Sequence, residues 1–366
     1  MEYKYIDEDE FNLEFLRMHR VLSPSGKLLT PTFKPTLSTK RILDAYEGML
    51  LSREFDRFLY NLYGQKKIRN FISNLGEEAL QVAIGISIKK TDWFIPSFRS
   101  GATLLTLDLP LVKLLLYWQG NEMGSHIPDG INVLPINFPI ATQVSHAVGI
   151  AYGIKASKSK DVAIVSVGNG ETSKGEFYES LNIAAVKGLP IVFCINNNQW
   201  SDSAREEVSY SSKTLASKST AFNIVGVRVD GNDLLACLEV MEEVVKYARD
   251  NSKPILVEFI TWREKGHDAI DNARLYRTIE QEKEAEKWEP FHRIEKYLFD
   301  NKILTESIKE KLQTKIDKNI TKAYKESISL LDVPIDDIFQ YNYDNMDNEL
   351  ETQKNKAKKN NKGGQI

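Results

Sequence analysis

The stretch Val162-Ala-Ile-Val-Ser-Val-Gly-Asn-Gly170 places an apolar, β-branched run directly before two glycines that flank an asparagine. The run has the length of a buried strand, and the glycines let the backbone turn sharply and approach a ligand closely. Ser173 and Glu176 have the spacing of a capping box, which predicts a helix from Ser173 to Lys187. This strand–loop–helix unit indicates an anion-binding site at the start of the helix.

A second apolar run, Pro190–Asn196, follows this helix and continues into Asn197 and Asn198. Further strands are predicted at 225–229 and 255–260, with a helix between them. Strands that alternate with helices of this length imply an α/β fold with a parallel sheet flanked by helices. Because ligands bind beyond the carboxyl ends of parallel strands, the loops after both apolar runs should face one bound group.

Asn169 and Asn198 each offer an amide oxygen, a hard ligand that suits magnesium bridging a diphosphate. The alternative is a pair of ordinary polar loops that only join strands to a helix. A lone Gly-x-Gly would favour that alternative. The two loops together, at this separation and in this secondary structure, favour a binding site.

The rest of the chain predicts helices and terminal segments around this unit. Apolar positions from Ser38 to about Tyr63 repeat at helical spacing, and a charged helical region extends from Arg274 to about Leu331. Residues 330–339 are expected to form a docked, extended segment. The predicted parts are an N-terminal arm at 1–37, the α/β domain with its C-terminal helices at 38–345, and a disordered basic tail at 346–366.

The composition excludes several classes of protein. The 42% hydrophobic and 27% charged residues are typical of a globular protein, and the net charge of -3 does not favour nucleic acid or membrane as a partner. The acidic first ten residues resemble neither a secretory signal nor a transit peptide, and no apolar stretch approaches the roughly 20 residues that span a bilayer. We therefore expect a cytoplasmic protein. The two cysteines are too few for a disulfide framework.

The stretch from Val167 to Trp200 resembles the diphosphate-binding motif of thiamine diphosphate enzymes. More narrowly, it resembles the alpha subunits of 2-oxo acid dehydrogenases, the first and decarboxylating component of those complexes. The resemblance runs from about Val21 to Tyr341, and other matching pieces are Gly76-Glu-Glu-Ala79, Pro96-Ser-Phe-Arg99, Pro139-Ile-Ala-Thr-Gln143 and Arg263-Glu-Lys-Gly-His267. It implies a thiamine diphosphate-binding fold and an enzyme that decarboxylates a 2-oxo acid oxidatively and transfers the acyl group to a lipoyl group.

The resemblance also implies the residues of the site. His267 matches the active-site histidine, which supplies proton transfer or hydrogen bonding. Arg99 matches an arginine on a phosphate, and Phe138 and Ile140 match positions around the aminopyrimidine. The positions implied for thiamine diphosphate are Phe98, Arg99, Phe138, Ile140, Gly168, Asn169, Gly170, Glu171, Asn196, Asn198 and His267. Those implied for cations are Asn169, Asn198 and the backbone carbonyl of Trp200 for Mg²⁺, and Asn137, Pro139, Thr142 and Gln143 for K⁺.

The implied partners are a beta subunit in an α2β2 heterotetramer, a lipoyl acyltransferase component and a small 2-oxo acid. The N-terminal arm, residues 76–78 and residues 332–339 resemble the branched-chain subfamily more than the pyruvate one. We therefore expect a branched-chain 2-oxo acid as the substrate and a role in branched-chain amino acid catabolism. A pyruvate dehydrogenase alpha subunit is the alternative.

Several positions depart from the family pattern. Asn169 stands where an acidic metal ligand is usual, so one negative charge beside the metal is lost. Ser100 replaces a histidine or glutamine, the segment after Asn121 is shortened, and Asp268 adds a negative charge after His267. These departures leave open a second class of function, a weakened or inactive homologue that acts as a scaffold or regulatory subunit.

Overall fold

The structure, a computed structural model, describes residue 4 and residues 17–331, 334–340 and 342–361. Its strands are β1 (Trp93–Ile95), β2 (Ala163–Gly168), β3 (Ile191–Asn197), β4 (Trp200–Ser201), β5 (Ala204–Arg205), β6 (Val225–Asp230) and β7 (Ile255–Ile260). Five strands form one parallel sheet in the order β1-β2-β3-β7-β6, while β4 and β5 form an antiparallel pair. The predicted α/β fold with a parallel sheet is confirmed.

The helices lie around this sheet. They are α1 (Thr39–Gly64), α2 (Glu78–Ser87), α3 (Gly101–Thr106), α4 (Leu111–Trp118), α5 (Thr142–Ala156), α6 (Gly175–Lys187), α7 (Glu206–Ser209), α8 (Leu234–Asn251), α9 (Ile279–Glu286), α10 (Pro290–Asp300), α11 (Glu306–Ser329), α12 (Asp337–Gln340) and α13 (Asn348–Asn361). Ser38 caps α1 and Asp233 caps α8 through their side chains. Within the described ranges, no helix has both the length and the apolar character needed to cross a membrane.

The strand residues alternate between two apolar clusters, one on each face of the sheet. Ile164, Val192 and Val257 belong to the cluster that includes residues of α1, α2 and α8. Val165 and Phe193 belong to the cluster that includes residues of α5 and α6. Burial on both faces explains why the strands read as continuous apolar runs in the sequence.

The described part of the N-terminal arm lies along the outer edge of the sheet. The backbone of His19 forms a parallel bridge with Val229 and exchanges hydrogen bonds with Arg228 and Asp230. The carboxylate of Asp233 accepts hydrogen bonds from the backbone of Val21 and Leu22. The arm therefore covers the edge strand β6 and caps an otherwise open row of backbone groups.

Two predictions near the central motif need correction. Strand β1 was not predicted, because three residues are too few for a recognisable periodicity. The predicted capping box at Ser173 is wrong, because residues 169–173 form a 3₁₀ turn and α6 begins only at Gly175. The hydroxyl of Ser173 instead donates to the carbonyl of Ser209, 3.0 Å away.

The C-terminal predictions also differ from the structure. Helix α13 forms where we expected a disordered tail, and Lys354 and Lys358 each lie 2.7 Å from the carboxylate of Asp336. Part of this lysine-rich sequence is therefore helical and forms ion pairs with a neighbouring segment. Residues 362–366 lie outside the described residues. The expected extended segment instead contains the short helix α12 with Phe339 buried, while residues 332–333 are not described.

Candidate functional site

The two loops of the central motif lie side by side at the carboxyl edge of the sheet. Strands β2 and β3 are parallel, and Gly168 pairs in register with Asn196. The amide nitrogens of Asn196 and Asn198 donate to the carboxylate of Glu77 at 2.5 and 2.8 Å. The intervening Asn197 faces the other way and donates to Glu258 at 2.8 Å. The loop therefore presents two of its three asparagines to one side.

The loop after β2 is tightly packed. A Cβ at Gly170 would lie 2.1 Å from the hydroxyl oxygen of Ser201. Any larger residue at position 170 would therefore displace the side chain of Ser201. Asn169 is buried, and its side-chain nitrogen has no hydrogen-bond partner among the described residues. A buried amide nitrogen without a partner is costly, which marks this position for a ligand.

Glu171 is buried beside Gln143, whose amide nitrogen donates to its carboxylate at 2.5 Å. Burial raises the pKa of Glu171 to about 8. Its side chain is therefore mainly protonated at neutral pH. A neutral side chain at this position avoids repulsion with an anion bound at the same loop.

Arg99 connects several segments of the site. Its guanidinium donates to the backbone carbonyl of Ser73 at 2.5 Å and to that of His267 at 2.7 Å. Its Nε lies 3.7 Å from the carboxylate of Glu77. The structure thus brings Arg99 and His267, both predicted from the family resemblance, into direct contact.

An aromatic group lies next to this contact. The rings of Phe98 and Phe138 are stacked with centroids 5.8 Å apart, and His267 meets the ring of Phe98 edge-on at 5.7 Å. Phe138 is 48% exposed and Ile140 is 41% exposed. Large apolar side chains with this much exposure beside a buried polar site are available to contact a ligand.

The loop that carries His267 is held by hydrogen bonds on both sides. The backbone nitrogen of His267 donates to Asp271 at 2.6 Å, and the hydroxyl of Tyr276 donates to the same carboxylate. A guanidinium nitrogen of Arg263 lies 3.4 Å from His267 Nδ1. Burial, followed by the positive charges of Arg99 and Arg263, lowers the pKa of His267. The imidazole is therefore neutral at pH 7.

The contact with Arg263 also favours one tautomer of His267. Because arginine only donates hydrogen bonds, it favours the neutral ring in which Nδ1 accepts and Nε2 carries the proton. The carboxylate of Asp268, which departs from the family pattern, is held by its own loop and by the distant Asn70. Its carboxylate accepts from Asn70 Nδ2 at 2.8 Å and from the backbone of Ile270 and Asp271 at 2.9 Å.

The segment predicted to bind K⁺ adjoins the first loop. Asn137 forms a parallel bridge with Ser97, Pro139 accepts from the backbone of Thr142, and Thr142 begins α5. The amide nitrogen of Gln143 donates to the carbonyl of Ser166 and to Glu171, while its oxygen is buried without a hydrogen-bond partner in the described structure. The described residues contain no group of three or more histidine, cysteine or acidic side chains suited to a metal, so amide and carbonyl oxygens are the candidate ligands.

Glu77 was not predicted as a site residue. Its contacts join positions more than one hundred residues apart, which no local pattern reveals. A weak signal exists, since the adjacent acids Glu77 and Glu78 stand between apolar Leu75 and Ala79. Charged residues in such a context are rarely buried unless they have partners.

The parallel sheet and the paired loops at its carboxyl edge are typical of α/β enzymes, which bind ligands at that edge. The chain belongs to the dehydrogenase E1 component family, whose family model matches residues 46–333. It is accordingly an E1 component of the alpha type in a 2-oxo acid dehydrogenase, which is an oxidoreductase, and this family depends on thiamine diphosphate.

Three curated relatives carry the name pyruvate dehydrogenase E1 component subunit alpha. The protein from Mycoplasma pneumoniae is 42% identical over 342 residues, covering 93% of this chain and 96% of the relative. The protein from Acholeplasma laidlawii is 34% identical over 337 residues, covering 92% and 98%. The protein from Staphylococcus aureus is 29% identical over 337 residues, covering 92% and 91%. These names favour the pyruvate alternative over the expected branched-chain type.

Proposed function

We propose that this chain is the alpha subunit of a pyruvate dehydrogenase, and that it binds thiamine diphosphate and Mg²⁺ at the carboxyl edge of β2 and β3. The observation that carries the proposal is the register of these two strands, in which Gly168 pairs with Asn196. This register sets the loop of Asn169 and Gly170 beside that of Asn198. The names of the relatives support pyruvate as the substrate.

The residues of the site fit a metal–diphosphate group. Asn169 has a buried amide nitrogen without a partner, and the amide oxygen and nitrogen exchange places by rotation of the side chain. One orientation offers an N–H to a diphosphate oxygen, and the other offers an oxygen to Mg²⁺. The side chain of Ser201 packs where a Cβ on Gly170 would lie, so this loop requires glycine at position 170. Asn198 and the carbonyl of Trp200 complete the proposed metal ligands.

Thiamine diphosphate, when bound, supplies a nucleophilic carbon and an electron sink for decarboxylation. Arg99 has five N–H donors, of which three face Ser73, His267 and Glu77, so two remain for a phosphate. The exposed side chains of Phe138 and Ile140 would hold the aminopyrimidine. His267, with a neutral imidazole, would supply a hydrogen bond from Nε2 or take part in proton transfer beside the bound cofactor.

The partners and the second cation follow from the same proposal. A beta subunit completes the cofactor site in an α2β2 heterotetramer, and a lipoyl acyltransferase accepts the acyl group. The buried amide oxygen of Gln143 supports a K⁺ site formed with Asn137, Pro139 and Thr142, because this oxygen has no hydrogen-bond partner among the described residues. Gln143 also donates to Glu171, so a K⁺ ion bound by this segment would lie next to the diphosphate loop.

Calorimetry on the chain co-expressed with its beta subunit tests the proposal. We expect thiamine diphosphate to bind in the presence of Mg²⁺ and not after chelation of the metal. Asn198→Ala should abolish this binding because it removes a metal ligand. The matched control Asn197→Ala removes the neighbouring buried amide, which faces Glu258, and should leave cofactor affinity unchanged. No binding at millimolar cofactor would support the inactive scaffold instead.

The substrate is tested separately on the loaded pair. We expect decarboxylation of pyruvate to exceed that of 3-methyl-2-oxobutanoate in kcat/KM. A preference for the branched substrate would contradict pyruvate as the substrate and favour the branched-chain type. It would not contradict the proposed cofactor site.

A further inference from the structure

Glu77 is a fully buried carboxylate at the start of α2. It lies outside the set of positions that the family resemblance assigns to the cofactor. Burial of a carboxylate is costly unless hydrogen-bond donors or cations satisfy it. The hydrogen-bond and ion-pair partners of Glu77 therefore indicate its role.

All three partners of Glu77 are positions proposed for the cofactor. Asn196 Nδ2 donates to one carboxylate oxygen at 2.5 Å, and Asn198 Nδ2 donates to the other at 2.8 Å. Arg99 Nε lies 3.7 Å from the oxygen that Asn196 contacts. The neighbouring Glu78, equally buried, instead pairs with Arg53 at 2.5 Å and with the backbone of Gly76, so it holds α1 and α2 together.

These contacts determine which way each amide points. An ionised carboxylate only accepts hydrogen bonds, so Asn196 and Asn198 must both turn their N–H₂ groups towards Glu77 and their oxygens away from it. The freed oxygen of Asn196 accepts from the hydroxyl of Thr261 at 2.7 Å. The freed oxygen of Asn198 accepts from the backbone of Trp200 at 3.1 Å and keeps one lone pair for another ligand.

We propose that Glu77 is a positioning residue, which holds the amide oxygen of Asn198 towards Mg²⁺ and the guanidinium of Arg99 towards the diphosphate. The inference rests on the proposed function, since it needs the metal to bind at Asn198. Glu77 acts through its neighbours, as residues hydrogen-bonded to metal ligands do in other metal sites.

Glu77→Gln tests this role because it keeps the size of the side chain and removes its charge. The new amide carries its own N–H₂ group, so one of the two asparagines must rotate or lose its partner. We expect the affinity for Mn²⁺ to fall by roughly 10- to 100-fold. The measurement is the free Mn²⁺ signal in electron paramagnetic resonance, with the co-expressed pair and saturating thiamine diphosphate.

The control is Glu239→Gln. Glu239 is also a buried carboxylate with two hydrogen bonds, but it accepts them from the backbone and hydroxyl of Thr36 in the N-terminal arm. This variant should lower the melting temperature without changing Mn²⁺ affinity. A fall in Mn²⁺ affinity that matches the one for Glu77→Gln would show a general loss of stability and would overturn the proposal.

A double-mutant cycle with Asn198→Ser provides the second readout. Serine keeps a neutral oxygen but lacks the N–H that Glu77 orients, so Glu77→Gln should have little further effect on Mn²⁺ affinity in that background. Full additivity of the two changes would overturn the proposal. Should Glu77→Gln fail to assemble, Glu77→Asp replaces it in the same cycle, because it retains the charge and shortens the reach. If the wild-type pair itself binds no Mn²⁺ with the cofactor, the proposed function fails and the role of Glu77 fails with it, whereas wild-type binding with an unchanged affinity in Glu77→Gln overturns the role of Glu77 alone.

Discussion

Gly76 sets the position of the carboxylate that contacts the asparagine loop. Its φ is +88°, and a Cβ on it would lie 2.1 Å from the backbone carbonyl oxygen of Trp262. The left-handed conformation favours glycine, and a backbone atom has little freedom to move aside. Because Gly76 directly precedes Glu77, any shift at this residue would also shift the hydrogen bonds to Asn196 and Asn198.

Gly76→Ala should therefore be strongly destabilising and should weaken cofactor binding. Gly120→Ala is the matched control, because Gly120 also has a positive φ, +79°, yet a Cβ there would meet nothing within 4 Å. We expect a loss of about 1 kcal/mol for Gly120→Ala and about 3 kcal/mol or more for Gly76→Ala. Urea unfolding measures both. Equal losses of unfolding free energy in the two variants would show that the contact with Trp262 does not add to the cost of Gly76→Ala.

At the scale of elements, the predictable parts were those with long or strongly apolar patterns. The runs at β2, β3 and β7, and the capped helices α1 and α8, were predicted within a few residues because burial on a defined face dictates their composition. Shorter elements depend on contacts instead. The hairpin β4–β5 and the 3₁₀ turn after Gly168 carry no periodicity of their own, so the sequence did not indicate them.

Helix α5 has a face that the described part of the chain leaves exposed. Gly149 and Gly153 are exposed on it, and a Cβ on either would meet nothing within 4 Å. Glycine in a helix interior costs up to about 1 kcal/mol relative to alanine. No described residue packs against these glycines to offset that cost, so we expect a partner surface, on our proposal that of the beta subunit, to approach the backbone here.

The double variant Gly149→Ala/Gly153→Ala should therefore have opposite effects on the chain and on the assembly. The melting temperature of the chain alone should rise, because alanine stabilises the helix. The dissociation constant for the beta subunit should increase, because two methyl groups prevent close approach. Lys155→Ala, on the same helix, is the control for general changes in α5. It removes the hydrogen bonds that Lys155 Nζ donates to the carbonyls of Lys187 and Gly188. An unchanged dissociation constant in the glycine variant would show that this face of α5 is not part of the interface.

For the molecule as a whole, the residues that form the site were easier to predict than the long-range contacts between them. The paired loops follow from strand order, because parallel strands end at one edge of the sheet. The contacts of Glu77 with Asn196 and of Arg99 with His267 span 119 and 168 residues of sequence. No local pattern specifies which distant group satisfies a buried charge, so these contacts required the structure. The positions matched through the family resemblance stay predictions until the cofactor is bound.

A buried acid connects the stability of the whole chain to pH. Asp56 on α1 is buried and accepts hydrogen bonds from the hydroxyl of Ser73 at 3.0 Å and the backbone of Asn74 at 2.5 Å. Burial, assisted by the negative charge of Glu78, raises the pKa of Asp56 from 3.8 to about 7. The folded chain therefore binds one more proton than the unfolded chain between about pH 4 and pH 7.

Because the folded state holds this extra proton, the contribution of Asp56 to stability is largest below about pH 4 and is lost as the pH rises through about 7. Asp56→Asn cannot titrate and should lack that loss. We expect the melting temperature of the variant, relative to the unchanged chain, to increase from pH 5 to pH 7 and to level off above it, as measured by thermal unfolding in a pH series. A difference that stays constant across the series would mean that Asp56 remains ionised in the folded chain and that its hydrogen-bond donors outweigh its burial.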